Sequence, residues 1–258
     1  MSPTEILGLI LAGAAGGVIN AVAGGGTLVT FPTLILFGTP SIVANATSTL
    51  ALVIGTGGSI FSYRRYIPRV KKLLWRFIPI SILGGWIGAE LLTRTSQKAF
   101  EKLIPFLLLF ATILFLSQGL VRKLIKVGPD SAHSESRHVV WGTILFQLGV
   151  SIYGGYFGAG IGILMLAALA LLGLSDIYEM NTLKTILGSL INLVAAIWFI
   201  FSGLIHWPKA AVMTFGALGG YYLGAHFSQR ISQKRVRQII TAVGFTISGV
   251  MFYRQFFR

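Results

Sequence analysis

Long apolar runs broken by short basic clusters set the elements of this chain. The longest stretch free of Asp, Glu, Lys and Arg covers residues 6–63, 58 residues. At about 1.5 Å per residue a straight helix of that length would reach roughly 87 Å, nearly three hydrocarbon thicknesses of about 30 Å. The run therefore turns back. Gly24-Gly25-Gly26 and Gly38-Thr39-Pro40 are the breaking points, because glycine and proline end helices. This predicts segments at 6–23, 27–37 and 45–63, the middle one too short to span comfortably. Further apolar segments fall at 73–92, 103–121, 139–157, 161–172, 185–203, 210–229 and 236–253. That makes ten, two of them short. Ala21-Val22-Ala23 mimics a signal cleavage site, but only Glu5 is charged ahead of the run. With no basic leader, the first segment is expected to be retained.

An internal repeat organises these segments. Gly84-Gly85-Trp86-Ile87-Gly88-Ala89 is echoed by Gly219-Gly220-Tyr221-Tyr222-Leu223-Gly224-Ala225, and Ser96-Gln97-Lys98 by Ser232-Gln233-Lys234, 136 positions later (232 − 96). The short segments recur at about the same offset. Residues 1–121 and 139–258 read as two copies of a five-segment unit joined by a linker at 122–138. An odd number of segments sends the second copy through the membrane in the opposite sense. The basic loops agree, since Arg64, Arg65, Arg69, Lys71, Lys72 and Arg76 crowd the connection after the third segment, while its counterpart holds only Lys209. Under the positive-inside rule the first connection is cytoplasmic and the second external. The expected fold is an all-α integral membrane protein of two inverted five-segment repeats, with broken or short helices at the glycine-rich runs.

Composition confirms the class and narrows the chemistry. Charged residues make up 11% of the chain against about 25% in a soluble domain, and mean hydropathy is +0.79. The balance of 21 Lys+Arg to 7 Asp+Glu gives +14, but the basic residues cluster at segment ends as membrane anchors and not as a nucleic-acid surface. Cysteine is absent, which excludes disulfides, thiolate metal sites and cysteine nucleophiles. The spans carry no paired carboxylates, no His cluster and no Ser/His/Asp set, so no metal, no cofactor and no enzymatic reaction is expected.

The chemistry is expected where helices break, since unpaired backbone groups are tolerated in lipid only beside buried protein or a hydrated cavity. A helix N-terminus bears roughly half a positive charge and suits an anion. The candidate substrate site therefore comprises Asn20, Gly24, Gly25, Gly26 and Thr27 at the first break and Gly158 and Gly160 at the second. Asn45, Thr47 and Ser48 open the third segment; Asn181, Thr182 and Lys184 open the eighth. The two Asn-Thr clusters either face each other across the pseudo-axis or cap their helices. Lys184 either neutralises an anion or snorkels to the interface. Isolated pairs such as Gly13/Gly17, Gly84/Gly88, Gly154/Gly158 and Gly220/Gly224 have the spacing of close helix packing. Glu90 and His226, 136 apart (226 − 90), either form a proton-coupling pair or, each lying near a helix end, sit at the interface.

The run Gly16-Gly17-Val18-Ile19-Asn20-Ala21-Val22-Ala23-Gly24-Gly25-Gly26, followed by Pro32, Gly38 and Asn45-Ala46-Thr47-Ser48, resembles the signature of the TauE/SafE sulfite exporter family, also called the 4-toluene sulfonate uptake permease family. The second half departs from it: Gly158-Ala159-Gly160 replaces a triple glycine, and Met165-Leu166 stands where a proline is expected. The resemblance implies transport of sulfur-containing anions, sulfite or organosulfonates, across the bacterial inner membrane. Composition and spacing by themselves reach an anion transporter with a small anionic substrate and the lipid bilayer as partners. A passive anion channel and an intramembrane enzyme acting on a lipid phosphate are the alternatives.

Overall fold

The computed structural model describes residues 1–22, 25–127, 137–171, 174, 176–227 and 233–256. Among these every element is helical: α1 (Pro3–Val22), α2 (Thr27–Leu36), α3 (Ser41–Tyr63), a 3-10 turn (Arg64–Tyr66), α4 (Ile67–Arg94), α5 (Gln97–Val127), α6 (Arg137–Tyr156), α7 (Ile161–Leu171), α8 (Ile177–Phe201), α9 (Trp207–Phe227) and α10 (Gln233–Phe256). Three stretches, Pro3–Ala21, Gln97–Ser117 and Tyr178–Phe201, are long and apolar enough to cross a bilayer. Leu11, Leu145, Phe201 and Phe215 stand exposed, as side chains facing lipid tails do. The chain is an all-α, multi-pass membrane protein.

The helices outrun the apolar segments that announce them. α4 starts at Ile67, so Arg69, Lys71, Lys72 and Arg76 ride on its first turns and only Arg64 and Arg65 lie in the 3-10 turn. Helical hydrogen bonding continues past the hydrocarbon edge, and a charge-free run marks only the part inside it. For the same reason α5 continues to Val127, α6 starts at Arg137, and the linker core 128–136 lies outside the described residues.

Glycine closes the two tightest helix pairs. Where α1 crosses α9, a Cβ on Gly17 would come within 2.3 Å of the Ala217 carbonyl oxygen, and one on Gly220 within 2.0 Å of that of Ala14. Where α4 crosses α6, a Cβ on Gly88 would meet the Ile152 oxygen at 2.0 Å and one on Gly155 the Gly85 oxygen at 2.1 Å. Small residues let backbones approach this closely, which is how helices associate where lipid supplies no hydrophobic drive. Around these pairs α4 also packs on α8, α3 on both α8 and α9, and α5 on α10; α2 sits against α1 and α3, and α7 against α6 and α8.

Two polar layers mark the ends of the bundle. At the basic end Tyr66 stacks on Tyr178 with ring centroids 5.1 Å apart, and Arg65 and Arg69 lie over the Tyr66 ring. At the opposite end the Lys209 ammonium, 7% exposed, donates to the Glu5 carboxylate at 2.7 Å, the Phe37 carbonyl at 2.8 Å and Thr39 Oγ1 at 3.1 Å. One buried cation thus ties the first turns of α1 and α9 to the end of α2.

Candidate functional site at two helix breaks

α1 and α2 meet at the first break, and the side chain that organises it is Asn20. Its Oδ1 accepts from the Gly25 and Gly26 amides, both at 2.7 Å, and its Nδ2 donates to the Tyr221 hydroxyl on α9 at 2.9 Å. The amides expected to await an anion are held by this carboxamide oxygen. Gly25 has φ +104°, a conformation side chains rarely adopt, and a Cβ there would lie 2.0 Å from the Phe115 ring of α5. Gly26 presses on the Gly16 carbonyl. Gly24 lies outside the described residues. Thr27 is the buried first residue of α2. One turn on, Thr30 Oγ1 is 2.6 Å from Ser48 Oγ of α3.

The second break separates α6 from α7. Gly158 and Gly160 take φ +81° and +80°, and the Gly158 amide bonds back to the Tyr153 carbonyl at 3.2 Å, closing α6 with a left-handed glycine cap. Gly158 therefore turns the chain; it does not form a packing pair with Gly154. The Tyr153 hydroxyl donates to the Ala159 carbonyl at 2.8 Å, spanning the turn. Asn45 of α3, 1% exposed, donates from Nδ2 to the Tyr156 carbonyl at 3.0 Å, and its Oδ1 has no partner among the described residues.

These contacts bring the two breaks together. Asn45 and Ser48, three residues apart, share one face of α3 and rise about 4.5 Å between them. One reaches the end of α6 and the other reaches α2. Phe31 of α2 packs edge-on against Phe157 of the second break with centroids 5.4 Å apart. Both breaks also touch the middle of α5, Gly25 at Phe115 and Gly160 at Leu114.

Other expected residues fall into distinct roles. Thr47 Oγ1 accepts from the His206 amide at 3.1 Å, pinning α3 to the segment before α9. Asn181 and Thr182 lie in the second turn of α8 and do not cap it; the cap is Asp176, which accepts from the Tyr178 and Glu179 amides. Thr182 instead donates to the Tyr178 carbonyl. Lys184 runs its aliphatic stem past Gly162 in the first turn of α7. Glu90 accepts from Trp198, Thr93 and Arg94 near the end of α4. The His226 side chain lies outside the described residues. Sequence reasoning missed Thr30 and Phe115; Thr30 left a trace, as a polar position in an apolar ten-residue helix.

A multi-pass helical bundle with two short helices, each entered through a glycine turn beside buried amide and hydroxyl side chains, has the build of a membrane transporter. Residues 9–251 match the family described as sulfite exporter TauE/SafE, and the chain belongs to that family. It is similar to proteins named as probable membrane transporter proteins from three sources. That from Haemophilus influenzae is 27% identical, covering 92% of this chain and 90% of its own length. The Sinorhizobium relative is 25% identical over 93% and 89% respectively. Escherichia coli YfcA is 24% identical over 92% and 86%. No solved structure is a significant match.

Proposed function

We propose that this chain is a secondary transporter that exports sulfur-containing anions, sulfite or organosulfonates, across the bacterial inner membrane, binding them between the two helix breaks. The observation that carries this reading is the meeting of both breaks at the middle of α5, beside the polar face of α3. The family description, a sulfite exporter, supports the sulfite half of this reading.

Two inverted copies, α1–α5 and α6–α10, underlie the site. The neighbour relations support this, because exchanging α1 with α6, α2 with α7, and so on turns α1–α9 into α6–α4, α4–α8 into α9–α3 and α2–α3 into α7–α8, all of which are packed pairs. Ser48 and Lys184 stand 136 apart (184 − 48), as do Gly26 and Gly162 (162 − 26). Each member of the first pair stands beside the opening turns of a short helix, Ser48 against Thr30 of α2 and Lys184 against Gly162 of α7. The site is then symmetric in shape and asymmetric in charge, with a hydroxyl in one half and a cation in the other. The anion exchanges with the Asn20 carboxamide for the Gly25 and Gly26 amides and is drawn in by Lys184.

Counterflow of labelled sulfite or a small sulfonate in proteoliposomes tests the transport reading. Saturable counterflow is expected; flux that never saturates would make the protein a channel. Lys184→Gln is expected to raise the half-saturating concentration about tenfold or more by removing a cation from the site. Outward movement of one negative charge down an interior-negative potential releases about 2.3 kcal/mol per 100 mV. Flux is accordingly expected to follow a clamped voltage.

The inversion makes the basic end cytoplasmic and the Lys209 end external. In this cysteine-free chain, single cysteines at Arg69 and at the exposed Trp207 are expected to react with an impermeant maleimide from opposite sides of the membrane. Labelling of both from one side would end the inverted arrangement.

A further inference from the structure

α8 shows two exposed faces, and only one of them suits lipid. Leu193, Ile197 and Ile200, 37–46% exposed, lie about 100–160° round the axis from Asn181 at about 100° per residue, and meet hydrocarbon. The other face carries Asn181, Lys184, Thr185, Gly188 and Asn192, all partly exposed and all within about 100° of arc. Buried Ser189 and Ala196 separate the two. This polar face looks along α7. The Lys184 stem passes 3.2 Å from a Cβ built on Gly162, Asn192 Oδ1 lies 3.4 Å from one built on Gly158, and one on Gly188 would stand 3.8 Å from Ile161 and 3.9 Å from Met165. Neither Asn181 nor Asn192 makes a side-chain hydrogen bond among the described residues, so water is left to complete their pairing. Polar groups at such depth are tolerated where they line a hydrated cavity inside the bundle. The face begins at the basic end, one turn beyond the Tyr66–Tyr178 stack. From Asn181 to Asn192 it runs about 16 Å deeper, roughly half the hydrocarbon thickness.

The matching face of α3 is shut. Asn45, Ser48, Thr49 and Leu52 stand 136 positions before Asn181, Lys184, Thr185 and Gly188 (181 − 45), and none is more than 8% exposed. Asn45 is tied to the Tyr156 carbonyl, Ser48 to Thr30 and Thr49 to the Asn45 carbonyl. Leu52 fills the position that Gly188 leaves bare. α3 begins at the Lys209 end, where the buried ion pair with Glu5 closes the bundle.

We infer that the polar face of α8 is the path by which the anion reaches the second break from the basic end, that Asn192 touches it at the inner end, and that this structure is the state open to the basic end and closed to the other. The chemistry suits a small oxyanion: two carboxamides and a hydroxyl offer neutral donors, Lys184 adds charge, and the face bears no carboxylate. The cluster from Arg64 to Arg76 raises the anion concentration at the mouth. Gly188 sets the width. That the path carries substrate rests on the transport reading above; that it is lined with water does not.

The test uses the full-length, cysteine-free chain in sealed vesicles of one orientation, with sulfonatoethyl methanethiosulfonate, an impermeant anion, as probe. Single cysteines at Asn181, Thr185 and Asn192 are expected to react from the side on which a cysteine at Arg69 reacts. Those at Asn45, Thr49 and the buried Leu187 are expected to react at least about tenfold more slowly. Gly188→Leu, which gives α8 the residue that α3 has, is expected to slow the reaction at position 192 at least about tenfold and leave that at 181 unchanged. The unchanged reaction at 181 shows that this variant is folded. Counterflow of labelled sulfite is expected to be lost in Gly188→Leu and kept in Gly188→Ala, whose added methyl meets nothing nearer than 3.8 Å. Asn192→Asp, with a charge that repels the anion, is expected to raise the half-saturating concentration about tenfold or more. No reaction at 192, reaction there only from the side opposite Arg69, or equally fast reaction at Asn45 and Thr49 overturns the path and the state. Full counterflow in Gly188→Leu overturns the path as the substrate's, and an unchanged half-saturating concentration in Asn192→Asp overturns the contact at its inner end. Labelling as expected in a protein that shows no counterflow at all removes the transport reading and leaves the water-lined path standing.

Discussion

Asn20→Ala is expected to lower stability by about 2–4 kcal/mol, because it orphans two partly buried amides at once and strips the Tyr221 hydroxyl of its donor. Asn20→Asp is the informative contrast. An aspartate keeps an oxygen for the Gly25 and Gly26 amides, and the hydroxyl of Tyr221 can turn to donate to the other oxygen. The positive end of α2 favours the new charge. Thermal unfolding in detergent is therefore expected to find Asn20→Asp close to wild type and Asn20→Ala well below it. Anion counterflow should rank them differently: the carboxylate at the break repels the anion, and Asn20→Asp is expected to lose at least about tenfold in rate. Wild-type transport by Asn20→Asp would mean that the anion passes nowhere near the first break.

Gly88→Val and Gly220→Val are expected to remove the folded protein altogether. Each puts a β-carbon about 2.0 Å from a backbone carbonyl oxygen of the facing helix, Ile152 for one and Ala14 for the other. A backbone atom has no rotamer to escape into, so the helices must separate and lose packing along their whole crossing, an expected cost of more than about 3 kcal/mol. Gly219→Val supplies the control one residue away, where an added Cβ meets nothing within 4 Å. Its yield of monodisperse protein should match the wild type, while those of the other two collapse. Normal yields for Gly88→Val or Gly220→Val would contradict the close α4–α6 or α1–α9 contact.

The ten α-helices among the described residues, two of them short, were legible in order because glycine and charge punctuate this chain so sharply. Helix ends were not, since Arg69 and Lys72 continue α4 with the same backbone bonds that a loop would lack. At the first break three successive glycines betrayed the turn, and Asn20 was singled out beside them. Its role was hidden, because nothing in a linear pattern says that an amide oxygen five residues back reaches the amide of Gly25. Glycine pairs were read correctly as packing at Gly13/Gly17 and Gly84/Gly88; Gly158 was read both as part of the second break and as the partner of Gly154, and its positive φ supports only the first. Asn45, near a segment start, was open to two readings, a helix cap or a site residue facing the pseudo-axis. It proved to be a tie between α3 and α6, 111 residues apart in sequence, and only the folded arrangement reveals such a tie. The Glu5–Lys209 pair had a usable signal, a lone charge of each sign opening two otherwise apolar helices.

The tightest pairs, α1 with α9 and α4 with α6, join helices from opposite halves of the chain. During synthesis the glycine face of α1 therefore has no proper partner until residues beyond Trp207 have been made, some two hundred later at about 5–20 residues per second. For those ten seconds or more the first half sits in the bilayer with its knobless faces against lipid or against the wrong helix. Neither half is a self-sufficient folding unit, and the chain's assembly is governed by its last helices, with the long sequence separations that make native contacts slow to form.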